Sequence, residues 1–168
     1  MISLRRATLD DADWLVELYA GEDVDPFLGP RRPRDREGMV EEIERSLTEP
    51  HAFGRIVIEV DGERAGVMGY HELSEANRIA HLGGLAVHAD FRGRRIADEA
   101  ARQLQRYLLL ELDYHRLEML CYGFNERAIA HAERAGWIRE GVKRKAYMRH
   151  GEWQDAVQFS VLRDDLDE

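Results

Sequence analysis

The 168-residue sequence has a single cysteine, Cys121. That excludes an internal disulfide and a cysteine-rich zinc cage, and it fits a reducing compartment. No apolar run approaches the ~18 residues of a bilayer-spanning helix, and the start Met1-Ile2-Ser3-Leu4-Arg5-Arg6 lacks the apolar stretch of a secretion signal. A cytoplasmic protein without membrane attachment is expected. The seven histidines form no i,i+3 or i,i+4 pair with a second ligand in a zinc pattern, so no metal site is expected. Basic charge is also in deficit: 24 Lys and Arg stand against 33 Asp and Glu, a net charge of −9, which excludes bulk nucleic-acid binding. Internal repeats, low-complexity tracts and linkers are absent.

What is present suffices for a core. Hydrophobic residues make up 44% and charged residues 34% of a length that fits one domain over residues 1–168. Charge is distributed unevenly. No Lys or Arg occurs from Ala7 to Pro30 beside Asp10, Asp11, Asp13, Glu17, Glu22, Asp23 and Asp25, and Arg31, Arg32, Arg34 and Arg36 follow at once. A solvated acidic helix face beside a basic turn accounts for most such runs.

Met1 to Thr8 reads as a short edge strand, and Thr8 or Asp10 can cap a helix carrying Trp14, Leu15, Leu18 and Tyr19 and ending near Gly21. A loop over residues 21–33 precedes a second helix bearing Met39, Val40, Ile43 and Leu47, which ends before Pro50. Phe53 to Val60, Ala65 to Leu73 and Ile79 to Val87 form a meander, its first turn marked by Asp61-Gly62. The longest helix is expected over Ile96 to Leu112, followed by a strand over Arg116 to Tyr122 and a helix over Asn125 to Ala135. Strands over Trp137 to Met148 and Asp155 to Leu162 close the chain. The order describes an α/β fold, a mixed, mainly antiparallel sheet with helices on both faces.

Two features carry chemistry. Gly83-Gly84 interrupts a strand, where glycine packs nothing and costs backbone entropy, so a bulge or a close ligand approach is expected there. Beyond it, Asp90-Phe91-Arg92-Gly93-Arg94-Arg95-Ile96-Ala97 crowds three arginines onto a helix N-terminus, where cations are unfavourable by ~0.3–1 kcal/mol each. Asp98 and Glu99 could offset them; a bound phosphate or pyrophosphate on the first-turn amides does so better.

The run His81-Leu82-Gly83-Gly84-Leu85-Ala86-Val87-His88-Ala89-Asp90-Phe91-Arg92-Gly93-Arg94-Arg95-Ile96-Ala97 resembles the strand and pyrophosphate loop, Q/R-x-x-G-x-G/A, of the GNAT acetyltransferase family. Asn125-Glu126-Arg127-Ala128, Gly136-Trp137, Glu140-Gly141-Val142 and Gly151-Glu152-Trp153-Gln154-Asp155 follow in that family's order, and the closer similarity is to its ribosomal-protein and spermidine acetyltransferases. The resemblance implies acetyl-CoA as donor, with the sheet splayed at the cofactor-binding strand. Pantetheine would run beside the backbone of Leu85, Ala86 and Val87 and meet Asn125, and pyrophosphate would sit on the amides of Arg92, Gly93, Arg94, Arg95, Ile96 and Ala97. Two positions depart from the pattern. Arg95 replaces the loop's second glycine, and Ala132 replaces the tyrosine that protonates the departing thiolate in many members.

Direct transfer to an amine needs a proton acceptor. His81 ranks first, Glu72 second and His71 third; a strand histidine with a satisfied hydrogen bond is the plain alternative for His81. Cys121, in an apolar strand, reads as an inert buried thiol. The expected function is acetyl transfer to a primary amine of a small molecule or protein N-terminus. The alternative is a GNAT-fold CoA-binding or regulatory module without turnover. The resemblance implies that the loop between the first two helices lies over the acceptor cleft, where Glu22, Asp23 and Asp25 beside Phe27 and Leu28 suit a cationic amine with some apolar body; solvated carboxylates without a ligand are the plain alternative, and a homodimer is left open.

Overall fold

Seven strands, β1 (Ile2–Arg6), β2 (Phe53–Val60), β3 (Glu63–Ser74), β4 (Ile79–Val87), β5 (Arg116–Tyr122), β6 (Ile138–Arg149) and β7 (Glu152–Leu162), share one sheet in the computed structural model. Their order is β1-β2-β3-β4-β5-β7-β6, and among the described residues only the β4–β5 pairing is parallel. Residues 1–30 and 32–166 are described; Arg31 of the basic turn and the last two residues of the expected 1–168 unit lie outside them.

Strand alternation divides the apolar residues between two faces. Val57, Val67 and Ala86 meet α1 (Ala12–Ala20) and α2 (Arg36–Thr48) through Leu15, Leu18, Tyr19, Met39 and Ile43. Ile56, Ile58, Met68, Tyr70, Ala80, Leu82 and Leu117 meet α3 (Ile96–Arg106) and α4 (Glu126–Arg134) through Ala100, Leu104 and Ala132. Each large side chain fully buried here contributes about 1.5–3 kcal/mol. The helices therefore lie on both faces, as expected from the order of elements.

Local chemistry sets the element ends. Asp35 caps α2 by accepting from Gly38 N at 2.8 Å, and Asn125 caps α4 by accepting from Ala128 N at 3.2 Å. Asp61 and Gly62 both take positive φ, the requirement of the tight hairpin turn their sequence signals. Thr8 precedes a short 3-10 turn, Leu9–Asp11, rather than α1 itself. Asp11 is no solvated acid: it is buried against Arg5, at 2.7 and 2.9 Å, and Arg64, at 3.2 Å. The expected helix to Leu112 leaves α geometry after Arg106 and ends in a π turn, Tyr107–Glu111. The wider turn lets the consecutive Leu108 and Leu109 both reach the core. No helix among the described residues is long and apolar enough to cross a membrane.

Candidate active site

β4 and β5 pair for only three steps, Ile79↔Arg116, Ala80↔Leu117 and His81↔Glu118. Beyond them β4 stays with β3 to Val87 and β5 stays with β7 to Tyr122, so the sheet opens into a V with His81 and Glu118 at its apex. The facing edges of the two strands are left without ladder partners. A bulge accompanies the opening, because Gly69↔Gly83 and Val67↔Ala86 set two steps of β3 against three of β4. Gly84 takes φ +64°, and a Cβ there would lie 2.9 Å from the Tyr19 hydroxyl oxygen. The bulge expected from Gly83-Gly84 is present.

Strand alternation decides which candidate bases meet. His81 and His71 are cross-strand partners on the α1/α2 face, with ring centroids 5.0 Å apart. Burial, with His71 adding to it, pulls the His81 pKa down to about 4, against the opposing charge of Glu118. Burial also lowers that of His71. Glu72 pairs with Ala80 and turns to the α3 face, where it accepts from the Tyr114 hydroxyl at 3.0 Å and lies 3.4 Å from His51 Nδ1. The structure thus joins His81 to His71 and separates both from Glu72. Glu118, which the sequence reading missed, faces His81 across the apex and is held by Arg116 at 2.8 Å.

The loop after β4 leads through a 3-10 turn, Ala89–Phe91, to Gly93 at φ +80° and Arg95 at φ +55°. The first bond into α3 runs from Glu99 N to Arg95 O at 3.4 Å, so the amides of Ile96, Ala97 and Asp98 precede any helical acceptor. A Cβ on Gly93 would meet nothing within 4 Å, leaving its backbone open to approach. Leu85 packs toward the α3 face, whereas Ala86 joins the core under α1 and α2.

The arginines differ from one another. Arg92 donates Nε to Val87 O at 2.9 Å, pairs through Nη1 with Asp23, and gives its amide to Ala89 O at 3.3 Å. It braces the end of β4, with its amide turned to the Ala89 carbonyl. Arg94 lies over the Phe91 ring at 5.6 Å and Arg95 is exposed. Asp98 does not offset them. It turns inward to His131 Nδ1 and Arg134 Nε, each at 2.7 Å, and Glu99 takes Gln103 at 3.0 Å. Burial pushes the Asp98 carboxyl up, but the bonds from Arg134 and His131 outweigh it and hold it below its ordinary range. Asn125 uses Oδ1 to cap α4, and Ala132 is buried in the core between α3 and the sheet.

Over the open end of the V lies the loop between α1 and α2. Asp23 holds Arg92, Asp25 O accepts from Arg149 at 2.7 Å, and Pro26 O accepts from His150 at 2.8 Å. Phe27 approaches Phe124 at 6.2 Å, and Phe124 stacks on Tyr122 at 5.1 Å and meets His150 edge-on at 5.5 Å. Asp25 is paired with Arg32, with Arg149 at 3.9 Å and Arg34 at 4.0 Å. Two of the three carboxylates expected at this mouth are therefore already matched. Its aromatic rings come from three separate segments, which sequence spacing cannot bring together. Cys121 is buried, and burial pushes its thiol up to about 11, as an inert thiol requires. Among the described residues no group of three metal-ligating side chains occurs.

Residues 2–138 match the acetyltransferase (GNAT) domain family. The chain is 30% identical over 137 residues, 80% of its length and 75% of the relative's, to the SPbeta prophage-derived uncharacterized N-acetyltransferase YokL of Bacillus subtilis. It is 32% identical over 103 residues to the putative ribosomal N-acetyltransferase YdaF of the same organism, covering 61% of this chain and just 56% of YdaF. The structure of spermidine N-acetyltransferase from Vibrio cholerae in complex with CoA and spermine superposes with a TM-score of 0.85 at 17% identity, over 98% of this chain and 97% of that one, a likeness of fold. By the extent of the domain match and the relationship to YokL, the chain belongs to the GNAT family of acetyltransferases, enzymes that transfer an acetyl group from acetyl-CoA to an amine.

Proposed function

We propose that the chain acts as a single domain in the cytoplasm, moving the acetyl group of acetyl-CoA directly to a primary amine of a small molecule or protein N-terminus. The observation that carries this reading is the V between β4 and β5, opening beside a helix whose first-turn amides have no acceptor among the described residues. The donor supplies a thioester already activated for acyl transfer. Leu85, Ala86 and Val87 offer strand backbone to its amide-bearing arm. The backbone from Arg92 to Ala97, with Arg94 and Arg95, receives its pyrophosphate, and the Asn125 side-chain amide Nδ2–H can still donate to the arm while Oδ1 caps α4.

His81 is the proposed proton acceptor. It is neutral at pH 7, and at the apex Glu118 stabilises the charge it gains. As the amine nitrogen bonds to the acetyl carbon, its proton passes to His81 and the C–S bond breaks. A thiolate of ordinary pKa near ~8.5 leaves without a side-chain acid at position 132.

The acceptor is proposed to be a cationic amine received on the π faces of Phe27, Tyr122 and Phe124, since Asp23 and Asp25 are already paired with arginines. Thiol release from acetyl-CoA across a panel of amines tests the reaction, and calorimetry at two salt concentrations tests the donor site. Gly93→Asp, which sets a carboxylate among the free amides, should weaken donor binding by at least about tenfold. Unchanged affinity in that variant sinks the site.

A further inference from the structure

Next to the donor strand lies a buried polar chain that the reaction above does not use. The Tyr19 hydroxyl of α1 donates to Gly84 O at 2.7 Å, and Arg55 Nη1 of β2 donates to that hydroxyl at 2.8 Å. Arg55 Nη2 pairs in turn with Glu42 of α2. Tyr19 is 1% and Arg55 8% exposed. Two glycines make the room: a Cβ on Gly69 would lie 2.9 Å from Arg55 Nη1, and one on Gly84 would lie 3.1 Å from it.

Stability alone gives this arrangement no rationale. A buried guanidinium costs several kcal/mol to desolvate, apolar residues of like volume often serve as well, and Arg55 Nε has no partner among the described residues. What the chain does secure is the direction of one peptide group. In a trans peptide C=O and N–H point opposite ways. Fixing Gly84 O on Tyr19 under α1 therefore turns the Leu85 N–H toward the other face, where α3 presents its first-turn amides. The charge of Arg55 also polarises the hydroxyl and, through Gly84 O, strengthens the Leu85 N–H as a donor.

We propose that Tyr19, backed by Arg55 and Glu42, is a positioning residue that aims the Leu85 amide of the bulge at the thioester carbonyl of the donor. This rests on the proposed donor site. The amide then faces the oxygen on which negative charge develops, where a preorganised donor has its largest effect.

The test is infrared spectroscopy of acetyl-CoA, 13C-labelled at the carbonyl, bound to the wild type and to Tyr19→Phe. The bound carbonyl band of the wild type should lie below that of the free donor and move back toward it in the variant. In parallel kcat should fall roughly tenfold, with the calorimetric Kd for acetyl-CoA within about twofold. If Tyr19→Phe does not fold, Glu42→Gln, at the half-buried outer end, should shift the band the same way by less. A bound band and kcat unchanged in the folded variant overturn the inference and leave the donor site standing. A wild type that does not bind acetyl-CoA overturns both.

Discussion

His81 and Glu72 stand on opposite faces of the sheet, although Glu72 is one register step from the His71–His81 pair. The two candidate bases therefore separate cleanly by mutation. His81→Ala should lower kcat by about 10²–10⁴-fold with donor affinity within about twofold. Glu72→Gln weakens the contact with Tyr114 and should cost about 1 kcal/mol of stability with kcat intact. Thiol-release kinetics and denaturant unfolding check both, and a loss of turnover confined to Glu72→Gln would reverse the assignment.

Burial of His81 also fixes a pH dependence. Folded, it stays neutral down to about pH 4, while in the unfolded chain it protonates near 6.5. Between those values the unfolded state binds a proton that the folded state refuses, so stability is complete above pH 6.5 and falls as pH drops toward 4. At ~1.4 kcal/mol per unit the loss reaches about 3 kcal/mol. His81→Asn does not titrate and should flatten that decline by a like amount in unfolding series from pH 7 to 4. The acid limb of kcat should correspondingly lie well below 6.5; a limb near 6.5 assigns the proton to another group.

The bulge and the helix-start loop were legible because both rest on local chemistry. Gly83-Gly84 interrupts a strand that otherwise packs, and three arginines crowd one helix end. The facing of Glu72 was not legible, since one residue of register exchanges the two sides of a strand. Nor was the pairing of Asp23 with Arg92, 69 positions apart, or of Arg55 with Tyr19, 36 apart. A run of acids looks alike whether its partners are solvent or distant arginines. Asp98 shows the same blindness, reading as a helix-start acid while in fact held by α4.

Arg95, at φ 55° and ψ 27°, occupies a left-handed position that costs a non-glycine residue about 1–2 kcal/mol. Arg95→Gly and Arg95→Ala remove the same charge, but only the first relieves the backbone. The glycine variant should be the more stable of the two by about 1 kcal/mol in urea unfolding. Both should bind acetyl-CoA about two- to fivefold more weakly than the wild type, the effect of one cation near an anion at a helix N-terminus. Equal stability of the two variants would mean that the left-handed backbone carries no strain.

The proposed acceptor mouth yields the last prediction, a contest between carboxylates and rings. Asp25 is held by Arg32 with Arg34 and Arg149 close by, and Asp23 by Arg92, so neither has charge to spare for an incoming ammonium. Tyr122 and Phe124 stack nearly parallel, at 11°, with Phe27 and His150 against Phe124. A ring face attracts a cation by about 0.5–2 kcal/mol, more when the pair is desolvated. Phe124→Leu keeps most of the apolar volume and loses the π face. With spermidine or another cationic amine as acceptor, it should raise KM about three- to tenfold and barely change kcat. Glu22→Gln, at the one carboxylate of the three without an ion pair among the described residues, should change KM by less than about twofold in 0.15 M salt, where exposed charges are screened. If Glu22→Gln raises KM strongly at low salt while Phe124→Leu leaves it unchanged, steering by charge replaces recognition by the rings.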